Sequence, residues 1–125
     1  MTDPDDDRWA TASIRVTSRR LGPAALSRHF GMSPTRPPKT TVPPLVWLVG
    51  STLDRSRPLE EHLDAILPHL QAIGRVGLPA ECAIDVSIGY SVLSSQSGFI
   101  VGQALIEALA AVNGDLFVSL YASID

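Results

Sequence analysis

The chain predicts an α+β fold. It reads as a two-layer sandwich in which a four-stranded antiparallel or mixed sheet carries three helices mainly on one face, in the order β-α-β-α-β-α-β. Three observations predict it. Segments at 12–18, 81–90 and 115–123 alternate apolar and polar residues with a period of two, the pattern of a sheet covered on one side. Between them lie helix-sized segments whose apolar residues recur every three or four positions. A fully parallel sheet with helices on both faces would need near-continuous apolar strands, and most of these strands alternate.

Each element has a local reason. In Ala12–Ser18, Ile14 and Val16 point one way while Ser13, Arg15 and Thr17 point the other. Gly22-Pro23 opens a short helix, because proline at the first helical position wastes no donor and its φ is already helical. That helix turns Leu26 and Phe30 inward and stops at Gly31, which suits a left-handed terminating residue. Met32–Pro44 holds five prolines, so it reads as a loop with polyproline stretches. Leu45–Val49 is a continuous apolar run, expected as a central strand with both faces at least partly covered. Gly50–Arg57 is a polar turn.

Pro58 then starts the longest helix, Leu59 to Ile73, with Leu59, Leu63, Ile66, Leu70 and Ile73 on one stripe. Pro68 lies inside it and predicts a kink or break, and Gly74 with Gly77-Leu78-Pro79 ends it. Glu81–Tyr90 is the clearest strand, with Cys82, Ile84, Val86, Ile88 and Tyr90 on one face. A serine-rich loop, Ser91–Gly98, follows. Helix Gly102–Val112 presents Leu105, Leu109 and Val112 and ends at Asn113-Gly114. The last strand, Asp115–Ser123, sets Leu116, Val118 and Leu120 against Phe117, Ser119 and Tyr121.

The 125 residues suit one domain, with residues 12–125 as the folded unit and residues 1–11 as a mobile acidic lead-in. The net charge of −3 hides a segregation: −4 over residues 1–7, +8 over 8–57 and −7 over 58–125. A uniformly basic nucleic-acid binder is therefore excluded, and nucleic acid is not the expected partner. One cysteine, Cys82, excludes an internal disulfide framework. The first residues lack the basic leader and apolar run of an export signal, and no apolar run is long enough to span a bilayer. A cytoplasmic protein that does not enter membranes is the expectation.

Motifs for chemistry are few. His62 and His69 lie seven residues apart on one helix, roughly 10 Å, too far to share one zinc ion, and both read as solvated. Ser91 lacks the second glycine of a nucleophile elbow, and no histidine follows it. No phosphate-binding glycine pattern occurs. Glu60, Glu61 and Asp64 occupy a helix's first turns, where they complement its dipole. Pro34-Thr35-Arg36-Pro37 has a P-x-x-P spacing and reads as part of the loop. No catalytic residue, metal ligand or cofactor is assigned, and an enzyme is not the favoured reading.

The favoured surface is the sheet face that the helices leave open. On the alternation above it carries Arg15, Thr17, Asp85, Ser87, Phe117, Ser119 and Tyr121, joined by Trp47. Arginine and aromatic residues together are what protein interfaces enrich. The candidate partner- or ligand-binding residues are Arg15, Trp47, Asp85, Ser87, Phe117 and Tyr121.

Several segments together resemble the bacterial domain-of-unknown-function family numbered 4279. They are His29-Phe30-Gly31-Met32-Ser33-Pro34-Thr35-Arg36 closing the first helix, Trp47 in the second strand, Leu59-Glu60-Glu61-His62-Leu63 opening the long helix, Gly98-Phe99, and a closing strand ending at Tyr121. The resemblance spans about residues 12–123. The link from Arg36 to Trp47 is short for that family, and the third helix lacks the expected polar cap. The resemblance implies a small α+β domain and brings no activity or catalytic residues. The expected function is a small non-catalytic interaction domain that binds a protein partner or itself, an immunity-type role being one version. The alternative is a small-ligand binder or enzyme with a pocket among Trp47, the Ser91–Gly98 loop and the proline-rich loop.

Overall fold

The computed structural model describes residues 9–92 and 98–122. Its elements run β1 (Ala10–Ser18), α1 (Pro23–Phe30), β2 (Leu45–Gly50), α2 (Leu59–Val76), β3 (Cys82–Val92), α3 (Gln103–Ala111) and β4 (Asp115–Ala122). The strands form one mixed sheet in the order β2-β1-β3-β4. β1 is antiparallel to both β2 and β3, while β4 runs parallel to β3 after the α3 crossover. This is the α+β architecture that the alternating strands predict.

All three helices contribute to one core on one side of the sheet. Ala10, Ala12, Ile14 and Val16 of β1, Leu45, Trp47 and Val49 of β2, and Ile84, Val86 and Ile88 of β3 meet Leu26, Phe30, Leu59, Leu63, Ile66, Leu70, Ile73, Leu105 and Leu109 from the helices. α2 lies over β1 and contacts α1 and α3. Gly31 takes the left-handed conformation (φ 68°) expected of it, and its N–H closes α1 on the Ser27 carbonyl. His29 Nε2 reaches the Gly77 carbonyl at 2.8 Å, tying the ends of α1 and α2 together.

Several expectations change. β2 is an edge strand, not a central one: its outer side is lined by the proline-rich loop. There Thr35 N–H donates to the Leu48 carbonyl (2.9 Å), the Gly50 N–H donates to Thr35 Oγ1 (2.8 Å), and Arg36 forms a bridge to Leu48. That partial cover explains an apolar run at an edge. α2 continues through Pro68 and past Gly74 to Val76. The carbonyl released by the proline belongs to exposed Asp64, where water can satisfy it, and Pro68 itself faces solvent. β1 begins at Ala10, and Trp9 before it packs over Gly89, so the fold includes residues assigned to the acidic lead-in. The crowding there is tight: a Cβ on Gly89 would stand 3.0 Å from the Trp9 ring.

The charge segregation maps onto the sheet. β2 and β1 come from the basic part of the chain and β3 and β4 from the acidic part, so the two halves meet along β1–β3. At that seam Arg15 Nε bonds Asp85 Oδ1 at 2.8 Å.

Candidate functional site

The strand registers decide which predicted site residues share a face. Arg15 stands directly opposite Asp85, and Ser13 opposite Ser87. Ser87 in turn pairs with Phe117, and Ser91 with Tyr121. Arg15, Asp85, Ser87, Phe117 and Tyr121 therefore all lie on the face away from the helices. Trp47 does not. It pairs with Val16 on the helix side and is fully buried. Its ring packs at 5.2 Å from Phe30, and its indole N–H donates to Ser27 Oγ at 3.1 Å. A side chain with no exposure can line no open pocket, which removes Trp47 from the alternative site; residues 93–97 of the Ser91–Gly98 loop lie outside the described residues.

On the open face the aromatic residues are braced by cations and by one another. The Arg15 guanidinium sits over the Phe117 ring at 5.5 Å while it also pairs with Asp85. Trp9 packs against Tyr121 at 5.0 Å, and Arg55 covers Trp9 at 4.4 Å. Trp9 and Arg55 belong to the cluster although the sequence reading omitted them. The available signal was an aromatic residue immediately before an alternating strand, obscured by the aspartates preceding it.

β4 is unlike every other strand. Its register continues the core face: Leu116 pairs with Val86, Val118 with Ile88 and Leu120 with Tyr90. Yet these three remain 41%, 37% and 62% exposed, because the helix layer does not reach over them. On the other face Phe117 and Tyr121 are each 53% exposed. β4 is the outer strand, so its far backbone edge pairs with no strand among the described residues. From Leu116 to Tyr121 it contains no charge, no proline and no glycine, the devices that ordinarily blunt an edge.

A second arrangement bears on chemistry. His62 is fully buried on α2, not solvated as its helix position implied, and its Nδ1 lies 2.5 Å from Ser51 Oγ. Burial pushes the imidazole below its ordinary pKa, opposed by the carbonyls of Asp54 and Arg57 and by the charges of Glu61 and Asp54. Nε2, the nitrogen an orienting carboxylate would hold in a serine–histidine pair, is buried and meets no partner at hydrogen-bond geometry among the described residues. The pair fastens the β2–α2 turn to the helix, and no carboxylate among the described residues orients the imidazole from its other nitrogen. His69, by contrast, is exposed.

The turn between them is fixed by local bonds. Asp54 Oδ1 accepts from the Ser56 N–H and hydroxyl at 2.9 and 2.7 Å, which hold its carboxyl below the usual range. Arg57 bonds Glu61 one helical turn on and lowers that carboxyl too. An open depression of about 360 Å³ lies beside this turn, lined by Trp9, Arg55, Arg57, Glu60 and Tyr90 among others. Among the described residues, no cluster of His, Cys, Asp and Glu gathers where a metal could be held, and no helix is long and apolar enough to cross a membrane. Comparison with known proteins matches no family model, no curated protein and no solved structure. The functional reading therefore rests on the geometry.

Proposed function

We propose that this protein is a small non-catalytic interaction domain whose docking surface is the β4 edge with the aromatic and arginine residues beside it. The carrying observation is that β4 carries exposed apolar side chains on both faces and no charge from Leu116 to Tyr121. Exposed apolar surface of that kind mostly marks an interaction site. Strand addition to such an edge supplies main-chain hydrogen bonds, while side chains on alternate faces supply selectivity. Arg15, Asp85, Ser87, Phe117 and Tyr121 extend the surface onto the open face, and the braced rings offer contact area at low entropic cost. An immunity-type role, in which this edge occludes an effector protein in the cytoplasm, is one version of the proposal.

The test compares wild-type protein with Val118→Lys. Val118 is already partly exposed, so the substitution leaves the fold intact by circular dichroism. Association, with itself or with a protein from its host, is expected for wild type and lost in the variant. Absence of any association that depends on Val118 overturns the reading.

A further inference from the structure

We propose that the occupant of the β4 edge is a second copy of this chain, paired β4 to β4 and antiparallel about a two-fold axis normal to the sheet at Ser119. The inference rests on the interaction reading above and names the partner. A two-fold normal to the sheet keeps each face on its own side, so the two four-stranded sheets join into one, with both helix layers on the same side.

The sequence of β4 is self-complementary in that register. Counting outward from Ser119, Val118 of one copy opposes Leu120 of the other, and Phe117 opposes Tyr121. Every large side chain from Phe117 to Tyr121 then meets a large one, and the small Ser119 sits on the axis. Cross-strand aromatic pairs and aliphatic pairs of this kind are the unit of sheet stabilisation. A register centred one residue earlier would instead set Phe117 against Ser119 and leave Tyr121 opposite Asp115.

The helix layer fits the same operator. On α3, Leu105 and Leu109 face the sheet, while Ala104, Ala108 and Ala111 line the depressions shared with α2. Helical periodicity places Ile106 on the flank opposite α2, toward β4, and Ile106 is 53% exposed. Leu116, Val118 and Leu120 thus form the floor of a half-groove with Ile106 as one wall, and the partner's α3 supplies the other. The exposed parts of Ile106, Leu116, Phe117, Val118, Leu120 and Tyr121 amount to roughly 600 Å² per copy, the most these side chains bring to an interface of about 800 Å² per partner, with the backbone edge in addition.

The opposite edge supports the assignment by contrast. β2 is already closed by Thr35 and Arg36 of the chain's own proline-rich loop. A continuing head-to-tail array would need that edge free, so the pairing closes as a dimer. On the inner side, Arg15 over Phe117 and Trp9 against Tyr121 hold both rings in place while their outer sides stay open to the partner.

Sedimentation equilibrium and a cysteine cross-link test this together. Wild type is expected at twice the chain mass, and Val118→Lys at the chain mass, with dimerisation weakened at least ~100-fold because each dimer would bury two unpaired ammonium groups. In a Cys82→Ser background, Ser119→Cys is expected to form an intermolecular disulfide, since directly opposed antiparallel residues lie about 4.5–5.5 Å apart at Cα. Val118→Cys, whose two copies are not opposed, is expected to cross-link far more slowly. A monomeric wild type overturns the inference, as does a dimer that survives Val118→Lys or cross-links through Val118→Cys in preference to Ser119→Cys. A monomer that nevertheless captures another protein through Val118 overturns the second copy and leaves the interaction reading standing.

Discussion

Replacing Trp47 with alanine separates a core residue from a binding residue. The side chain is fully buried, contacts Phe30 and donates to Ser27 Oγ. An indole buries about 200 Å², worth roughly 5 kcal/mol at about 25 cal/mol per Å². A denatured chain that is already partly collapsed lowers this to ~3–4.5 kcal/mol, and the lost hydrogen bond adds ~1 kcal/mol. The expected loss is therefore about 4–5 kcal/mol, a large share of the ~5–15 kcal/mol that holds an ordinary domain together. Urea unfolding followed by far-ultraviolet circular dichroism measures it. Ser27→Ala should lose about 1–3 kcal/mol by leaving the buried indole N–H unpaired. A Trp47→Ala loss below about 1 kcal/mol would refute the placement and return Trp47 to the surface.

Three further outcomes follow from single contacts. Gly114→Ala should destabilise by ~1–3 kcal/mol in urea unfolding, because a Cβ there would stand 2.6 Å from Leu109 Cδ1 and 3.2 Å from the Ile84 carbonyl; an unchanged midpoint would contradict that close approach. His62, held below its usual pKa, stays neutral in the folded chain while the unfolded chain takes up a proton near pH ~6.5. Its contribution is thus complete above that pH and declines as pH falls toward the lower folded-state pKa. Thermal unfolding of His62→Leu should show a flatter pH dependence there than wild type, and parallel profiles would reject the burial argument. A double-mutant cycle on Arg15 and Asp85, whose side chains are 36% and 24% exposed, should give a coupling of only ~0.5–1 kcal/mol.

The fold was readable where burial is one-sided. Ile14 and Val16, and Ile84, Val86 and Ile88, alternate because helices cover one side of their sheet, and that alternation led directly to a two-layer α+β fold. Leu45–Val49 hid its phase: five consecutive apolar residues do not say which of them face the core, and pairing of Trp47 with Val16 settles it only in three dimensions. The same limit concealed the β4 edge. Leu116, Val118 and Leu120 carry the pattern of a covered face, but strand order and the reach of α3 decide whether anything covers them. His62 was partly readable, since it falls three residues after Leu59 and four before Ile66, within the buried stripe of α2. Gly114 follows the helix end as expected, yet Asn113 takes the left-handed turn (φ 53°), and the glycine is needed for close packing instead.

Amide hydrogen exchange along β4, measured as the protein is diluted, reads the pairing between copies residue by residue. Pairing between copies predicts that amides between Leu116 and Tyr121 on the outer edge are protected at high concentration, lose protection on dilution, and are unprotected throughout in Val118→Lys. The β1 amides, bonded on both sides within one chain, should not respond to dilution. Outer-edge β4 amides that exchange at the open rate at every concentration would rule out β4-to-β4 pairing.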